Sequence, residues 1–484
     1  MMNRSPGWRG DSRDRAPGFF DARQSLEAGW DVWFSMLAGA RDVEQLARRR
    51  LVDLVTLARE RSPFYRHLYR GIPADECDLS HLPVVTKREL MAHFDTAVTD
   101  PAVTREAVQQ FVADPGRAGY PLRDRYAVWT SSGTTGEPGI FVHDGHALAV
   151  YEALEVIRFR RLLSPALLAA TFLANDRYAL VAATGGHFAG NATAQRLRLL
   201  YPWLAQRVRI LSILQATAAL TRELNDYQPT LLATYPTAAS VLAEEQQSGR
   251  LAIRPREIWT GGERLSNAQR AHIACVFDCE VHDGYGASEF LAIAWDCGRG
   301  ALHVNADWIV LEPVDEAYRP VPPGVPSHTV LLTNLANHVQ PLIRYDLGDS
   351  VTLLDHRCEC GSALPAIRVE GRCDDIVGVS DATGRMIKLL PLALTTVLED
   401  EASVNRFQLI QSSPTALVLR LDPQIADADA VRRCRHSLGR FLQAQGAANV
   451  SLDVEQGSLR RHPVSGKLRR VMALSDARPA PANA

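Results

Sequence analysis

The chain of 484 residues lacks several features that would place it in a specialised class of protein. No apolar run approaches the length of a membrane-spanning helix, and residues 1–20 lack the apolar stretch of a signal peptide. Neither charge sign dominates, since 53 Lys and Arg balance 55 Asp and Glu, so neither nucleic acid nor an anionic membrane is expected as a partner. Internal repeats are absent as well. We therefore expect a cytoplasmic globular protein with a loose N-terminal tail at residues 1–20.

Cysteine is also scarce, with eight residues in a chain of this length. That number does not indicate a disulfide framework. Five residues separate Cys297 from His303, and Cys358 and Cys360 follow in a Cys-Glu-Cys-Gly run. Three thiolates and one imidazole are a suitable donor set for tetrahedral zinc, although the spacing is not that of a zinc finger. A rival set crosses a helix end into a strand and is weaker: Cys275, Cys279 and His282. The others are interpreted as lone thiols: Cys77, Cys373 and Cys434.

Glycine and hydroxyl residues are concentrated between two short apolar runs, residues 126–129 and 140–143. The pattern predicts a β-hairpin whose loop brings backbone N–H groups close to a bound anion, phosphate above all. It is not a P-loop, because the Gly-Lys-Ser/Thr ending that precedes a helix is missing. An ordinary polar turn is the alternative. The candidate anion-binding residues are Ser131, Ser132, Gly133, Thr134, Thr135 and Gly136.

Strands and helices alternate from about residue 147 to residue 260, which predicts a mostly parallel sheet covered by helices. Ligands bind at the carboxyl ends of such strands, where the runs 261–263 and 284–286 fall. The glycine-rich exit from the strand at 179–183 suits the floor of an aryl pocket, and a tight turn with a core histidine is equally compatible. Beyond residue 375, helices and strands predict a compact α+β unit of about 110 residues.

Five further stretches accompany the hairpin, and together they resemble the adenylate-forming superfamily of acyl-CoA synthetases, adenylation domains and luciferases. They are residues 260–263, 283–289, 344–349, 371–375 and 463–467. Residues 62–66 and 82–87 resemble the N-terminal region of phenylacetate-CoA ligases in particular. The resemblance implies an α/β fold with an adenylation domain over residues 21–371, a mobile α+β lid domain over residues 372–476 and a disordered tail over residues 477–484.

The resemblance also implies a reaction. ATP would activate an aromatic carboxylic acid as an acyl-adenylate, and CoA would then take the acyl group. Glu289 would hold Mg²⁺, and Lys467 would bridge the carboxylate and the α-phosphate. The remaining nucleotide contacts would come from Gly262, Glu263, Asp283, Gly284, Tyr285, Gly286, Ser288, Asp349 and Arg372. The aryl pocket would be lined by Tyr126, Gly186, His187, Phe188 and Gly190. Some relatives hold a structural zinc on a set like the Cys/His one.

Several alternatives stay open. Glu289 could be a surface charge, and Lys467 a solvated lysine in a basic tail. The acceptor could be an amine or a carrier-protein thiol, since residues 376–391 lack the Arg-Gly pair that phenylacetate-CoA ligases have there. Activation of a group other than a carboxylate, a non-catalytic nucleotide-binding protein and a homodimer are further options. Lys388 and Arg385 are the residues that would hold CoA phosphates.

Overall fold

A computed structural model describes most of the chain. The described residues are 21–131, 139–159, 176–370, 377–404, 406–423, 425–459 and 470–474.

Helices dominate the first hundred residues. They are α1 (Ala22–Leu37), α2 (Ala40–Arg61), α3 (Pro63–Leu68), α4 (Lys87–Ala92), α5 (Phe94–Ala97) and α6 (Arg105–Val112). The predicted helix at 41–61 is confirmed as α2, which buries Val43, Leu51 and Leu54 at helical spacing. Ser62 ends α2 and caps α3 by accepting a hydrogen bond from the Tyr65 backbone.

Nine strands of the described residues form the central sheet. They are β3 (Tyr178–Ala182), β4 (Val208–Ser212), β5 (Leu231–Thr234), β6 (Glu257–Gly261), β7 (Glu280–Ala287), β8 (Phe290–Asp296), β9 (Leu302–Val304), β13 (Val351–Leu353) and β14 (Ala366–Val369). Their order across the sheet is β13-β14-β9-β8-β7-β6-β5-β3-β4. Strands β3 to β7 pair in parallel, as predicted. The other half is antiparallel, because only two residues separate β7 from β8 and no crossover helix fits there. The sheet is therefore mixed.

One helix precedes the parallel strands, and the others link them. They are α7 (Gly145–Leu154), α8 (Ala189–Leu200), α9 (Pro202–Ala205), α10 (Thr217–Tyr227), α11 (Pro236–Gln247) and α12 (Asn267–Phe277). The predicted helix at 147–163 begins two residues earlier and passes into a π-helical turn at Glu155–Phe159.

Two small sheets complete this part of the chain. One is the hairpin of β1 (Ala127–Ser131) and β2 (Gly139–His143). The other joins β10 (Ile309–Val314), β11 (Thr329–Asn334) and β12 (Tyr345–Asp346). Among the described residues, no helix is both long and apolar enough to cross a bilayer.

The C-terminal part is α+β, as predicted. A hairpin of β15 (Val377–Ser380) and β16 (Met386–Leu389) leads to α13 (Pro391–Thr396). Gly384 lies in its turn with φ +84°, a conformation that suits glycine. A second sheet joins β17 (Phe407–Ser413), β18 (Ala416–Leu421), β19 (Ser451–Gln456) and β20 (Val471–Met472), and α14 (Ala428–Ala444) packs on it.

Candidate nucleotide site and cysteine-histidine cluster

The phosphate-loop hairpin forms as predicted. Ser131 and Gly139 pair at the ends of β1 and β2, so the two strands frame residues 132–138, which lie outside the described residues. The Gly139 backbone N–H donates to Ser131 Oγ over 3.2 Å. The predicted contacts of Ser132, Gly133, Thr134, Thr135 and Gly136 therefore remain predictions, while Ser131 lies at the base of the loop.

Lys87 lies in this candidate site, although the sequence reasoning did not single it out. Its Nζ lies 3.3 Å from Ser131 Oγ, and its charge lowers the pKa of the Glu289 carboxyl. Lys87 is the first residue of α4, directly after the Thr86 cap. A cation is electrostatically disfavoured at a helix N-terminus, so its position was the available signal for a functional role.

Glu289 lies between β7 and β8 and is only 4% exposed, which makes the alternative of a surface charge wrong. Burial raises the pKa of its carboxyl, and the Lys87 charge opposes that rise. The Tyr345 hydroxyl donates to Glu289 Oε1 over 3.0 Å. A buried carboxylate beside the predicted phosphate loop is the type of oxygen donor that Mg²⁺ takes.

A buried chain of hydrogen bonds supports the backbone of residues 288 and 289. Asn334 Nδ2 donates to the Glu289 carbonyl over 3.0 Å and to the Tyr151 hydroxyl over 2.8 Å. The ring of His143 joins the Tyr151 hydroxyl at Nδ1, 3.2 Å away, to the Ser288 carbonyl at Nε2, 3.0 Å away. Because a carbonyl only accepts, His143 Nε2 carries the proton and Nδ1 accepts from Tyr151.

Complete burial lowers the pKa of His143 to about 3, so the ring is neutral, as this assignment requires. Each hydrogen bond in this series therefore has a defined donor and a defined acceptor. We call Glu289, Tyr345, Asn334, Tyr151 and His143 the active-site floor.

The predicted adenine and ribose contacts lie together. The Tyr285 hydroxyl donates to Asp349 Oδ2 over 3.0 Å, so the two side chains meet at the carboxyl end of β7. Gly286 must be glycine, because a Cβ there would lie 1.9 Å from the Leu291 carbonyl oxygen. Ser288 Oγ donates to the Thr130 carbonyl over 3.1 Å, which joins the run 283–289 to the phosphate hairpin.

The other predicted nucleotide residues lie at neighbouring strand ends. Gly262 has φ +77°, and a Cβ there would meet the Tyr235 ring at 3.1 Å. Glu263 accepts from the Thr237 backbone N–H at the start of α11. Asp283 accepts from Thr260 Oγ1 over 2.8 Å, so its side chain is bound within the sheet.

Gly284 of β7 pairs with Gly261 at the end of β6, so neither strand presents a side chain at this position. Burial raises the pKa of Asp283 to about 7. Tyr235, which sequence reasoning did not single out, packs against Gly262 and next to Ala183.

The predicted aryl-pocket residues are not all brought together. Phe188 pairs with Thr130 of β1, whereas Tyr126 lies four residues earlier, roughly 13 Å along the chain, and donates to Asp100. His187 is 1% exposed, and its Nε2 contacts the Asp114 carbonyl, 3.0 Å away, so the ring is a core group. Gly186 lies against the Phe188 ring, and a Cβ on Gly190 would meet open space. The structure thus favours the core-histidine alternative for His187.

The cysteine-histidine set predicted from the sequence assembles. The ligand atoms of Cys297, His303, Cys358 and Cys360 all lie within 4.8 Å of one another. Pairing of Ala366 with His303 joins β14 to β9 and brings the 358–360 loop over the end of β8. Within the described ranges, no other group of three or more such side chains comes together, and the rival Cys275 set does not.

The donor geometry of this set fits a metal. His303 Nδ1 lies 3.0 Å from the Leu364 carbonyl and therefore carries the proton, which leaves Nε2 as a ligand atom facing Cys360 Sγ at 3.1 Å. Cys297 and Cys358 approach to 3.5 Å between sulfurs, near the roughly 3.8 Å edge of a tetrahedral zinc thiolate pair. The four side chains come from two segments 55 residues apart in sequence, so a bound metal would join them.

Two further predicted residues, besides those of the loop at 132–136, remain predictions. Lys467 and Arg372 lie outside the described residues. At the ends of β3, β4 and β5, the C-terminal part contacts the rest of the molecule. Its core cluster includes Ala183, Ile213 and Ala238, with Phe188 and Tyr235 packed against it. Lys388 forms an ion pair with Glu244, and Gln445 Nε2 donates to the Leu214 carbonyl over 2.9 Å.

The chain is similar in sequence to known proteins. The family model described as AMP-binding enzyme matches residues 72–327. The protein CapK of Staphylococcus aureus is 27% identical over 134 residues, a match that spans only 28% of that relative's length and 27% of this chain.

Among solved structures, 2-hydroxyisobutyryl-CoA ligase with 2-HIB-AMP and CoA in the thioesterification state has 22% identity and TM-score 0.54, covering 90% of this chain and 91% of that one. The same enzyme in the postadenylation state with 2-HIB-AMP has 20% identity and TM-score 0.51 and covers 98% of this chain and 95% of that one. Likeness at this level of identity shows a shared fold. Because the family model spans more than half of the chain, the protein belongs to the AMP-binding enzyme family.

Proposed function

We propose that the protein activates a carboxylic acid with ATP as an acyl-adenylate and then passes the acyl group to CoA. The observation that carries the proposal is Glu289, a buried carboxylate beside Lys87 and Ser131 at the base of the phosphate hairpin. Attack of a carboxylate on ATP brings two anions together, so catalysis there needs fixed cations and oriented donors. Mg²⁺ held by Glu289 would supply one cation and Lys87 another.

The rest of the nucleotide would lie along the carboxyl ends of β6 and β7. Tyr285 would stack on adenine, and Asp349 would accept hydrogen bonds from the ribose. Their mutual hydrogen bond of 3.0 Å supports a single subsite for both. Gly262, Glu263, Asp283, Gly284 and Gly286 would line that slot, and Arg372 and Lys467 would reach it from the second half of the chain.

An aromatic acid is the substrate class we favour, with the cytoplasm as its compartment. Support comes from the likeness to phenylacetate-CoA ligases at 62–66 and 82–87 and from two aromatic side chains, Phe188 and Tyr235, at the strand ends. The core of the C-terminal part covers both rings. We infer that residues 21–371 form the adenylation domain and that residues 372–476 form a lid that changes position between the two steps.

One observation supports an acceptor other than CoA. Lys388, one of the two residues considered for CoA phosphates, is paired with Glu244, and Arg385 is paired with Asp381. Together with the missing Arg-Gly pair in residues 376–391, this supports an amine or a carrier-protein thiol as the alternative acceptor.

The experiment is a two-stage screen. ATP–pyrophosphate exchange is measured over a panel of aryl, arylacetic and small aliphatic hydroxy acids, and products are then identified by mass spectrometry with and without CoA. The proposal expects acid-dependent exchange and an acyl-CoA product. If exchange occurs but saturating CoA changes neither AMP release nor the product, the acceptor is an amine or a carrier thiol. Absence of acid-dependent exchange would remove the adenylation proposal itself.

We further propose that the cysteine-histidine cluster holds one structural zinc ion. Four protein ligands leave no open position, which is typical of a structural rather than a catalytic zinc. A cytoplasmic, reducing compartment would keep the thiols available as ligands. The ion would join the end of β8 to the loop between β13 and β14.

A further inference from the structure

The outer surface of α1 carries an apolar stripe. Leu26, Trp30, Phe34 and Leu37 are exposed by 66%, 61%, 62% and 75%. The Trp30 and Phe34 rings stack on each other with centroids 5.9 Å apart. At 3.6 residues per turn, the four side chains fall within an arc of about 80° on the helix. We call these four residues the α1 stripe.

The opposite face of α1 is already used. Ala28, Val32 and Ser35 are buried, and Ser35 Oγ donates to Asp307 Oδ2 over 2.8 Å. Arg158 pairs with the same carboxylate in the interior. The helix is therefore fixed on the body and apolar on both faces. Arg23, Glu27 and Asp31 lie on the remaining surface of the helix, so the exposed apolar residues form a bounded patch. Such a patch marks an interaction surface, and the stripe therefore calls for a partner.

The size of the stripe matches what an interface needs. At these exposures, the four side chains present on the order of 500 Å² of apolar surface, given the 150–250 Å² of a large aromatic side chain. Two such surfaces facing each other would bury about 1,000 Å², the lower bound for a specific protein–protein interface.

Charge argues against a membrane as the covering surface. Over Ala22–Leu37, one arginine stands against one glutamate and one aspartate, and Arg23 is paired with Glu27. Helices that lie on anionic bilayers carry many lysines and arginines on the face beside the apolar stripe.

The order of the apolar residues is self-complementary. When two copies of α1 run antiparallel, Leu26 of one lies level with Leu37 of the other. Trp30 then lies level with the Trp33–Phe34 turn of the second copy. We propose that the α1 stripe is the two-fold interface of a homodimer, with the two α1 helices antiparallel and the rings of Trp30 and Phe34 at its centre.

The first test measures the assembly of the full chain by sedimentation velocity over a concentration series. The wild type is expected to form a dimer of two 53.3 kDa chains. Trp30→Ser/Phe34→Ser should weaken association by about tenfold or more, because central aromatic residues dominate interface energies. Trp203→Ser is the matched control, since Trp203 is also 51% exposed but lies on α9; it should associate like the wild type.

The second test fixes the geometry. Leu26→Cys and Leu37→Cys are prepared separately, mixed in equal amounts and oxidised. The mixture should form a covalent dimer, whereas each variant alone should cross-link no more than the wild type. Two copies of residue 26 lie about 16 Å apart along the antiparallel axes, beyond the reach of a disulfide. The wild-type control accounts for the exposed native thiols Cys275 and Cys360.

Three outcomes would overturn the proposal. One is a wild type that stays monomeric at tens of micromolar. Another is a dimer that the double stripe variant leaves intact. The third is wild-type binding to phosphatidylglycerol vesicles that is lost in the stripe variant, which would assign the stripe to a lipid surface.

Discussion

The active-site floor and the surface that the C-terminal part contacts are built in opposite ways. The floor consists of buried polar groups whose hydrogen bonds each have one direction, from Asn334 through Tyr151 and His143 to the backbone beside Glu289. The C-terminal contact surface is apolar and includes Ala183, Ala238 and the rings of Phe188 and Tyr235. Among the described residues, the polar links noted across it are the Lys388–Glu244 pair and the Gln445 bond to Leu214.

The difference separates two tasks. Directional buried hydrogen bonds hold a catalytic group in one position, because breaking any of them leaves a polar group unsatisfied. An apolar contact surface with few polar links would allow the C-terminal part to pack differently on the rest of the molecule at a small cost in free energy. We therefore expect changes in the floor to affect adenylate formation, and changes in the contact surface to affect the balance between the two steps.

The largest expected effect comes from the floor. Glu289→Gln preserves the shape of the side chain and its acceptor for Tyr345 but removes the charge that would hold Mg²⁺. Adenylate formation should fall by about 10²–10³. Pyrophosphate exchange measures the rate, and circular dichroism checks that the fold is intact. A wild-type rate would exclude Glu289 as the metal ligand.

Metal removal tests a third region, which is neither the active-site floor nor the C-terminal contact surface. A tight chelator should release one zinc per chain from Cys297, His303, Cys358 and Cys360 and lower the thermal midpoint by several degrees or more, since a structural site contributes to folding. Nucleotide affinity should change only after stability does. Freshly purified protein with clearly less than one zinc per chain would contradict the site.

A smaller effect is expected from within the floor. Tyr151→Phe removes the hydroxyl that joins Asn334 to His143, so the half-saturating Mg²⁺ concentration for exchange should rise roughly tenfold. Tyr65→Phe is the matched control. Tyr65 is equally buried in the same core, but its hydroxyl bonds to the Pro341 carbonyl rather than to the floor. Equal shifts in the two variants would show a loss of stability only.

The smallest effect comes from the contact surface. Lys388→Ala breaks a half-exposed ion pair and should change the rates of the two half-reactions in opposite directions by roughly two- to five-fold. The charge-reversed pair Lys388→Glu/Glu244→Lys should restore the wild-type ratio. Equal slowing of both half-reactions would mean that the pair does not bias the position of the C-terminal part.

Local pattern explains which features the sequence predicted. The hairpin around residues 132–138, α2 and the Gly384 turn depend on neighbours in sequence, and all three are found. The Cys/His set was found because its residue types point to one chemistry. The sequence did not predict the hydrogen bonds of His143, Tyr151 and Asn334. These bonds join residues up to 183 positions apart, and nothing local in the sequence distinguishes the three side chains from ordinary core residues.

Two other differences have physical causes. Lys87 was quoted only as part of a subfamily motif, although its place at a helix start was informative. Tyr126 was assigned to the aryl pocket on the resemblance, but Thr130, four residues further along the chain, is the residue that pairs with Phe188. The antiparallel half of the sheet follows from the short β7–β8 connection, which apolar runs alone do not show.

The most direct test of the account is a single-turnover reaction with wild-type enzyme, ATP, Mg²⁺ and an acid selected by the screen, in the absence of any acceptor. Acid quenching and mass spectrometry then identify what remains on the protein. The account predicts a bound acyl-adenylate and released pyrophosphate in near-equal amounts, both lost in Glu289→Gln. Formation of ADP and phosphate, or of AMP without dependence on the acid, would contradict it.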